Sequence, residues 1–131
     1  MSGRTLGAIF LVVVPIVLVC WSISMHISKR VKIIDILSHP EDYDGAEVLI
    51  DGWYCGWKIP SNLPGPALSG PPVTRSDWII ADETAWIYVV ARGQWTKGIK
   101  YGDKIIVYAT VMTKHKNGTI IPYLYPLAIS Y

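Results

Sequence analysis

The chain has 131 residues, with 12 lysine and arginine residues against 10 aspartate and glutamate residues, a formal net charge of +2 and a mean hydropathy of +0.32. Apolar residues make up 51% of it and charged residues only 17%, whereas a typical soluble domain is about 25% charged. This length excludes a multidomain enzyme and most cofactor-binding folds built from long βαβ units. The composition excludes a disordered or polybasic tail protein.

The amino-terminal region is predicted to form a membrane anchor. Residues 5–28 contain no Asp, Glu, Lys or Arg, and residues 6–25 form a continuous apolar run of 20 residues. A helix of that length spans about 30 Å, the thickness of the hydrocarbon core of a bilayer. Pro15 is tolerated in such a helix, and Trp21 lies near one end, where interfacial aromatic residues are found. We therefore expect a retained single-pass transmembrane helix in residues 1–28.

Other interpretations of the apolar run stay open. A buried core helix is disfavoured because the run has no polar stripe. A cleaved signal peptide fits the short basic start, although the run is longer than a usual signal-peptide core. The positive-inside rule compares the positive charges on the two sides of the run. Arg4 and the amino terminus precede it, and Lys29, Arg30 and Lys32 follow it, so the two sides differ by one charge and the orientation stays undecided. We expect Lys29, Arg30 and Lys32, together with Trp21, to contact lipid headgroups.

The rest of the chain has a different charge balance. From residue 33 to the end there are eight basic and ten acidic residues, so this part carries a net charge of −2. A nucleic-acid-binding domain normally has a basic face and a high isoelectric point, and this charge does not favour that class. The sequence therefore divides into an anchor (1–28), a basic juxtamembrane collar and entry segment (29–45), and a β domain (46–131).

Five strands are predicted in the β domain. The first covers residues 46–57, which are rich in β-branched and aromatic residues, and Gly52 and Gly56 within it indicate a bend or bulge. The other predicted strands are residues 77–81, 86–91, 104–114 and 120–130. The Asn117-Gly118 pair predicts a hairpin between the last two strands.

The connections between these strands complete the fold prediction. Residues 58–76 contain five prolines and two glycines, a composition that predicts a long irregular loop. Pro122 and Pro126 are predicted to limit the last strand to edge-like pairing. No helix pattern alternates with the strands, which excludes a parallel sheet. We predict an all-β fold, a five-stranded OB-like barrel preceded by one transmembrane α-helix.

Three segments resemble small prokaryotic OB-fold domains. Residues 33–48 (IIDILSHPEDYDGAEV) resemble the entry of such domains, residues 78–89 (WIIADETAWIYV) their central hairpin, and residues 101–107 (YGDKIIV) their fourth strand. The layout, with an amino-terminal span before the barrel, is similar to that of the haem chaperones of cytochrome c maturation. In those proteins haem is attached through a histidine, followed shortly by a tyrosine, in a tail after the barrel. Because no histidine follows His115, the resemblance implies the fold and not haem carriage.

No catalytic, cofactor-binding or metal site is predicted. Cys20 falls in the predicted anchor and Cys55 in the first strand, so an internal disulfide is not expected. His26, His39 and His115 are isolated from other ligand residues. Most acidic residues fall at predicted turns, where aspartates bond local backbone amides. We therefore expect a protein that is not an enzyme and has no cofactor.

The aromatic residues are the most informative feature of the β domain. A small barrel cannot bury all of its tryptophans and tyrosines, and surface Trp and Tyr are used in protein interfaces and stacking platforms. Basic residues fall in the two loops that flank the usual ligand face of an OB barrel. The predicted interaction face consists of Trp53, Trp57, Lys58, Arg75, Trp78, Trp86, Tyr88, Lys114, His115 and Lys116.

These features favour a non-catalytic interaction module, an accessory subunit of a membrane protein complex, with the bilayer and other subunits as partners. The alternative is an OB domain that binds single-stranded nucleic acid or oligosaccharide through the same face. A haem or metal carrier is a third, less favoured hypothesis.

Overall fold

The computed structural model describes residues 30–131, which form a closed five-stranded β-barrel preceded by two short helices. The elements are α1 (Ile33–Ser38), α2 (Pro40–Tyr43), β1 (Glu47–Gly56), β2 (Trp78–Ala81), β3 (Trp86–Val89), β4 (Lys104–Lys116) and β5 (Thr119–Ser130). Around the barrel the strands follow the order β1-β2-β3-β5-β4. All neighbouring pairs are antiparallel except β3 and β5, which meet in parallel where Val89 pairs with Leu124.

The five predicted strands are confirmed, and each end differs from its predicted position by at most two residues. The glycines of β1 have the expected effect. The register of β1 against β2 shifts between Tyr54 and Gly56, which is a bulge, and Gly56 has a φ of 57°. At Gly52 a Cβ would overlap the backbone carbonyl of Ala81, so only glycine allows β2 to approach β1 this closely.

The prolines of β5 have a smaller effect than predicted. β5 pairs with β4 from Thr119 to Ser130, so one of its edges is fully used. On its other edge it meets β3 at Leu124, which lies between Pro122 and Pro126 and whose carbonyl accepts a bond from Val90 N at 2.9 Å. The two prolines therefore leave β5 room for a short second pairing, and this pairing closes the barrel.

The entry segment contains two helices that the sequence pattern did not predict. α1 has six residues and α2 four, which is too short for a helical period to be recognised. Ile33 and Ile36 lie three positions apart and are both fully buried in the main core, and Pro40 begins α2 at a position that suits proline. Tertiary burial of one apolar face, and not intrinsic propensity, explains these helices.

The predicted transmembrane helix lies outside the described residues, as do Trp21, Lys29 and Cys20. Within residues 30–131 no helix is both long and apolar enough to cross a bilayer.

The interior of the barrel is filled by alternate residues of its strands. In β4, for example, Ile105, Val107, Ala109 and Val111 point inward and are buried, while the residues between them face outward. β2 and β3 differ from this pattern because every residue in them is buried. Their inward side chains join the main core, and their outward side chains belong to a second, smaller apolar cluster.

A buried carboxylate connects α1 to the turn between β2 and β3. Asp82 is 1% exposed, and its Oδ2 accepts a hydrogen bond from Ile33 N at 2.9 Å. Its Oδ1 accepts bonds from Thr84 N at 2.8 Å and Ala85 N at 3.1 Å, as well as from the Thr84 hydroxyl. Asp82 thus holds the tight turn and the start of α1 with one side chain.

We expect Asp82→Ala to lower the free energy of unfolding by about 2 kcal/mol or more, since it leaves buried amide groups without acceptors. Thermal unfolding of the full chain in detergent, followed by circular dichroism, would measure this loss. Glu83→Ala is the matched control at the next, exposed position, and we expect it to leave the melting temperature nearly unchanged. Equal melting temperatures for the two variants would contradict the role given to Asp82.

Candidate interaction surface

The long loop after β1 covers the outside of β2 and β3. Leu63 and Leu68 of the loop pack against a cluster formed by outward residues of the barrel, which are Cys55, Ile79, Ala81, Trp86 and Tyr88. Trp86 N donates a hydrogen bond to Pro64 O at 3.0 Å, and Gly65 lies directly on the Trp86 indole, where a Cβ would overlap the ring. The proline-rich loop is therefore an ordered part of the fold that closes one side of the barrel.

A second buried aspartate holds the far end of this loop. Asp77 is fully buried, and its Oδ2 accepts hydrogen bonds from Val73 N at 2.8 Å and Thr74 N at 2.9 Å. Its Oδ1 accepts bonds from the Thr74 hydroxyl at 2.6 Å and Ala91 N at 3.0 Å. The side chain thus ties the loop to the end of β3. Both buried aspartates bond local backbone amides, in agreement with the expectation for acidic residues at turns.

Three residues of the predicted interaction face are buried and do not belong to the surface. Trp78 points into the barrel, where its ring lies 5.2 Å from that of Tyr54. Trp86 and Tyr88 point outward but lie beneath the loop, with their rings edge to face at 5.3 Å. The prediction that these three side chains are exposed is wrong for two reasons. Trp78 is an inward residue of β2 and belongs to the main core, whereas Trp86 and Tyr88 are outward residues that the loop covers.

The remaining predicted residues are exposed, and two of them, Trp57 and Lys114, contact the loop. Trp57 is 73% exposed, and its indole N–H donates to Ser76 O at 3.4 Å. The Lys114 ammonium donates to Pro72 O at 3.0 Å, which ties β4 to the loop. The other exposed members of the predicted face are Trp53, Lys58, Arg75, His115 and Lys116. The β4–β5 hairpin turns at Asn117 and Gly118, both with positive φ, as the Asn-Gly pair predicted.

The basic collar packs against the barrel. Arg30 Nη1 lies 3.0 Å from Asp51 Oδ2, and Lys104 Nζ lies 3.2 Å from the other oxygen of the same carboxylate. The Lys104 ammonium also stands 4.4 Å from the centre of the Trp53 ring. Two shallow grooves meet at Asp51, and one of them ends at Tyr131. We call the surface formed by Arg30, Asp51, Trp53, Lys104 and Tyr131 the collar face.

The charges of the collar are partly neutralised by the barrel. The Lys104 ammonium bonded to Asp51 holds the pKa of that carboxyl below its ordinary value, so the carboxylate is charged at neutral pH. Lys32, another predicted headgroup contact, forms an ion pair with Glu83. Arg30 and Lys32 nevertheless keep more than half of their side-chain surface exposed.

A second exposed cluster was not predicted. The Arg92 guanidinium lies 4.2 Å from the centre of the Trp95 ring and 4.9 Å from that of Tyr125, and Arg92 Nη1 donates to Pro126 O at 2.9 Å. Met112 of β4 and Leu127 of β5 are also exposed. We call Arg92, Trp95, Met112, Tyr125 and Leu127 the β5 patch. The spacing of Arg92 and Trp95 was visible in the sequence, but the position of Tyr125 beside them depends on the closure of the barrel.

The potential metal-ligand residues within residues 30–131 are dispersed over the barrel. Among the described residues no set of three or more His, Cys, Asp or Glu side chains is placed to hold a metal ion. Cys55 is buried in the outer cluster, its Sγ lies 3.6 Å from Trp53 O, and burial raises the pKa of its thiol.

Comparison with known proteins adds no relationship, because no family model and no curated protein matches the chain.

The contact between Gly65 and Trp86 can be tested with two matched substitutions. Gly65→Ala places a methyl group on the indole, and we expect it to lower the free energy of unfolding by about 1–3 kcal/mol, the usual cost of overpacking. Gly70→Ala makes the same change in the same loop, where a Cβ has open space, and should change stability by less than about 0.5 kcal/mol. Denaturant titration of both variants would measure the difference. If Gly65→Ala is as stable as Gly70→Ala, the loop does not pack on Trp86 in solution.

Proposed function

We propose that this protein is a single-pass membrane protein whose OB-like barrel is a non-catalytic interaction module, an accessory subunit of a membrane complex. The apolar run of residues 6–25 supports the anchor. The strand order β1-β2-β3-β5-β4 and the long loop between β1 and β2 support the resemblance to small prokaryotic OB-fold domains.

The observation that carries the proposal is the β5 patch. Trp, Tyr and Arg are the residue types most enriched among the energetically dominant residues of protein interfaces, and here one of each stacks on the open outer side of the barrel. Met112 lies diagonally across from Tyr125 on the paired strand, since Met112 pairs with Tyr123. Leu127 is exposed two residues after Tyr125, where the register of β5 against β4 shifts. The patch thus combines exposed apolar area with a guanidinium held in place by two rings and a carbonyl.

The alternative, a ligand-binding OB domain for single-stranded nucleic acid or oligosaccharide, has less support. Such ligands use the outer face of the second and third strands and the flanking loops. In this chain Trp86 and Tyr88 on that face are covered by Leu63, Gly65 and Leu68, so a ligand would have to displace the loop. The net charge of −2 after residue 32 also disfavours a polyanionic ligand.

The two hypotheses make different predictions for purification and binding. We expect the full chain, extracted in mild detergent, to co-purify with a membrane protein partner. Trp95→Ala or Tyr125→Ala should weaken the partner's affinity by about 30-fold or more, because truncation of a dominant interface residue costs at least about 2 kcal/mol. Val73→Ala is the matched control, since it truncates an exposed apolar residue on the loop outside the β5 patch. Recovery of partner can be quantified by mass spectrometry of the purified material.

A chain that runs alone in detergent, or a partner retained equally by all three variants, would contradict the interaction-module hypothesis. Titration with oligonucleotides and oligosaccharides addresses the alternative separately. Saturable binding that is lost on replacement of Trp57 and Arg75 would favour it, and for nucleic acid the affinity should fall steeply with salt.

A further inference from the structure

The collar face is a continuous array of basic and aromatic side chains at the point where the described chain begins. Arg30, the first described residue, reaches Lys104 through the shared carboxylate of Asp51, and Lys104 in turn stacks on Trp53. A second pair of this kind lies in the connections after β1 and before β4, where the Lys58 ammonium is 5.5 Å from the centre of the exposed Tyr101 ring. In membrane proteins, surfaces that mix aromatic rings with lysine and arginine side chains are found at the level of the lipid headgroups.

The length of chain before Arg30 limits how far the collar face can lie from a bilayer. The apolar run ends at Met25, so five steps along the chain connect its last residue to Arg30. Fully extended, these steps cover at most about 18 Å. The headgroup layer on each side of the hydrocarbon is about 5–8 Å thick. If the run spans the bilayer, as the proposed function requires, Arg30 lies within the headgroup layer or at most about 13 Å above it.

The charge of the collar face is suited to anionic headgroups. Asp51 neutralises one of the two cations that contact it, which leaves a net positive charge on Arg30, Asp51 and Lys104 together. Lys58 adds a further positive charge beside Tyr101. Each basic side chain near an anionic surface strengthens attachment, and an exposed indole adds apolar contact at the boundary between headgroups and acyl chains.

We propose that the collar face lies against the membrane surface and binds anionic lipid headgroups, with Arg30 and Lys104 as the basic contacts and Trp53 as the aromatic one. The proposal rests on the anchor of the proposed function and extends it by fixing which side of the barrel faces the bilayer. The barrel is then attached to the membrane at two places, by the anchor and by the collar face. The β5 patch stays available to a protein partner.

The experiment uses the full chain reconstituted into vesicles of phosphatidylcholine, with or without phosphatidylglycerol, that contain a lipid with a spin-labelled headgroup as fluorescence quencher. Trp53→Phe and Trp95→Phe identify the contribution of each indole to the quenched fluorescence. The two tryptophans are matched, because Trp53 is 39% exposed beside Lys104 and Trp95 is 36% exposed beside Arg92. We expect Trp53→Phe to remove a quenched component that Trp95→Phe leaves intact.

Charge variants test the headgroup contact. Lys104→Glu should shift the ratio of docked to undocked barrel by about 30-fold toward the undocked state in vesicles with phosphatidylglycerol, while Asp51→Asn should shift it several-fold the other way. Lys97→Glu reverses an exposed charge in the connection between β3 and β4 and is the control for net charge alone. Melting temperatures of all variants establish that the barrel is folded.

The outcomes separate this proposal from the proposed anchor. If the chain is extracted from the vesicles by alkaline carbonate, the proposed transmembrane anchor is contradicted, and so is the proposal that the collar face binds lipid. If the chain stays in the vesicles but Trp53 is not quenched, or Trp95 is quenched in its place, only the orientation proposed here is overturned. Equal quenching of Trp53 with and without phosphatidylglycerol, or equal effects of Lys104→Glu and Lys97→Glu, would overturn the assignment of anionic headgroups as the ligand.

Discussion

Burial of both faces of β2 and β3 is the constraint on which the rest of this structure depends. Each strand has four residues and none of them faces water. The inward side chains are covered by the barrel interior, and the outward ones are covered by the proline-rich loop. Because an uncovered patch of Trp86, Tyr88 and Ile79 would expose a large apolar area, the loop has to be ordered although it contains no regular secondary structure. Prolines favour an ordered loop of this kind, because they reduce the conformational entropy of the unfolded chain and so lower the entropy that is lost when the loop adopts a single conformation.

The buried carboxylates of Asp77 and Asp82 help to keep the loop and the β2–β3 turn ordered. A loop that crosses a barrel leaves backbone amide groups without strand partners, and buried amide groups need acceptors. Asp77 supplies them at the end of the loop, and Asp82 supplies them at the β2–β3 turn and the start of α1. Charged side chains are rarely this buried unless they are fully bonded. Here each aspartate is bonded to amide groups from two separate parts of the chain, so it stabilises their relative position.

Covering one side of the barrel makes its surface asymmetric, and this asymmetry supports the division of roles that we propose. The outer faces of β1, β4 and β5 are open in part, and their exposed residues carry the collar face in one region and the β5 patch in another. The net charge of the whole chain, +2, describes neither region. The positive charge is concentrated around the collar, where Asp51 and Glu83 of the barrel pair with Lys104, Arg30 and Lys32. The first described residues are placed against β1 by a backbone bridge between Arg30 and Leu49, with Val31 N donating to Leu49 O at 3.1 Å.

The amino-acid sequence by itself determined the five strands, the bulge in β1, the hairpin at Asn117 and the irregular loop, because alternation, glycine and proline act over a few neighbouring residues. It also determined that aromatic residues are too numerous for one small core. Only the tertiary structure decided which of them are exposed. Trp53 and Trp86 occupy outward positions on their strands, yet the loop covers Trp86 and leaves Trp53 open. The contact of Arg92 with both Trp95 and Tyr125 likewise depends on the closure of the barrel by β5. Exposure of an outward side chain depends on what crosses over it, and that is a contact between segments far apart in the chain, which no local pattern records.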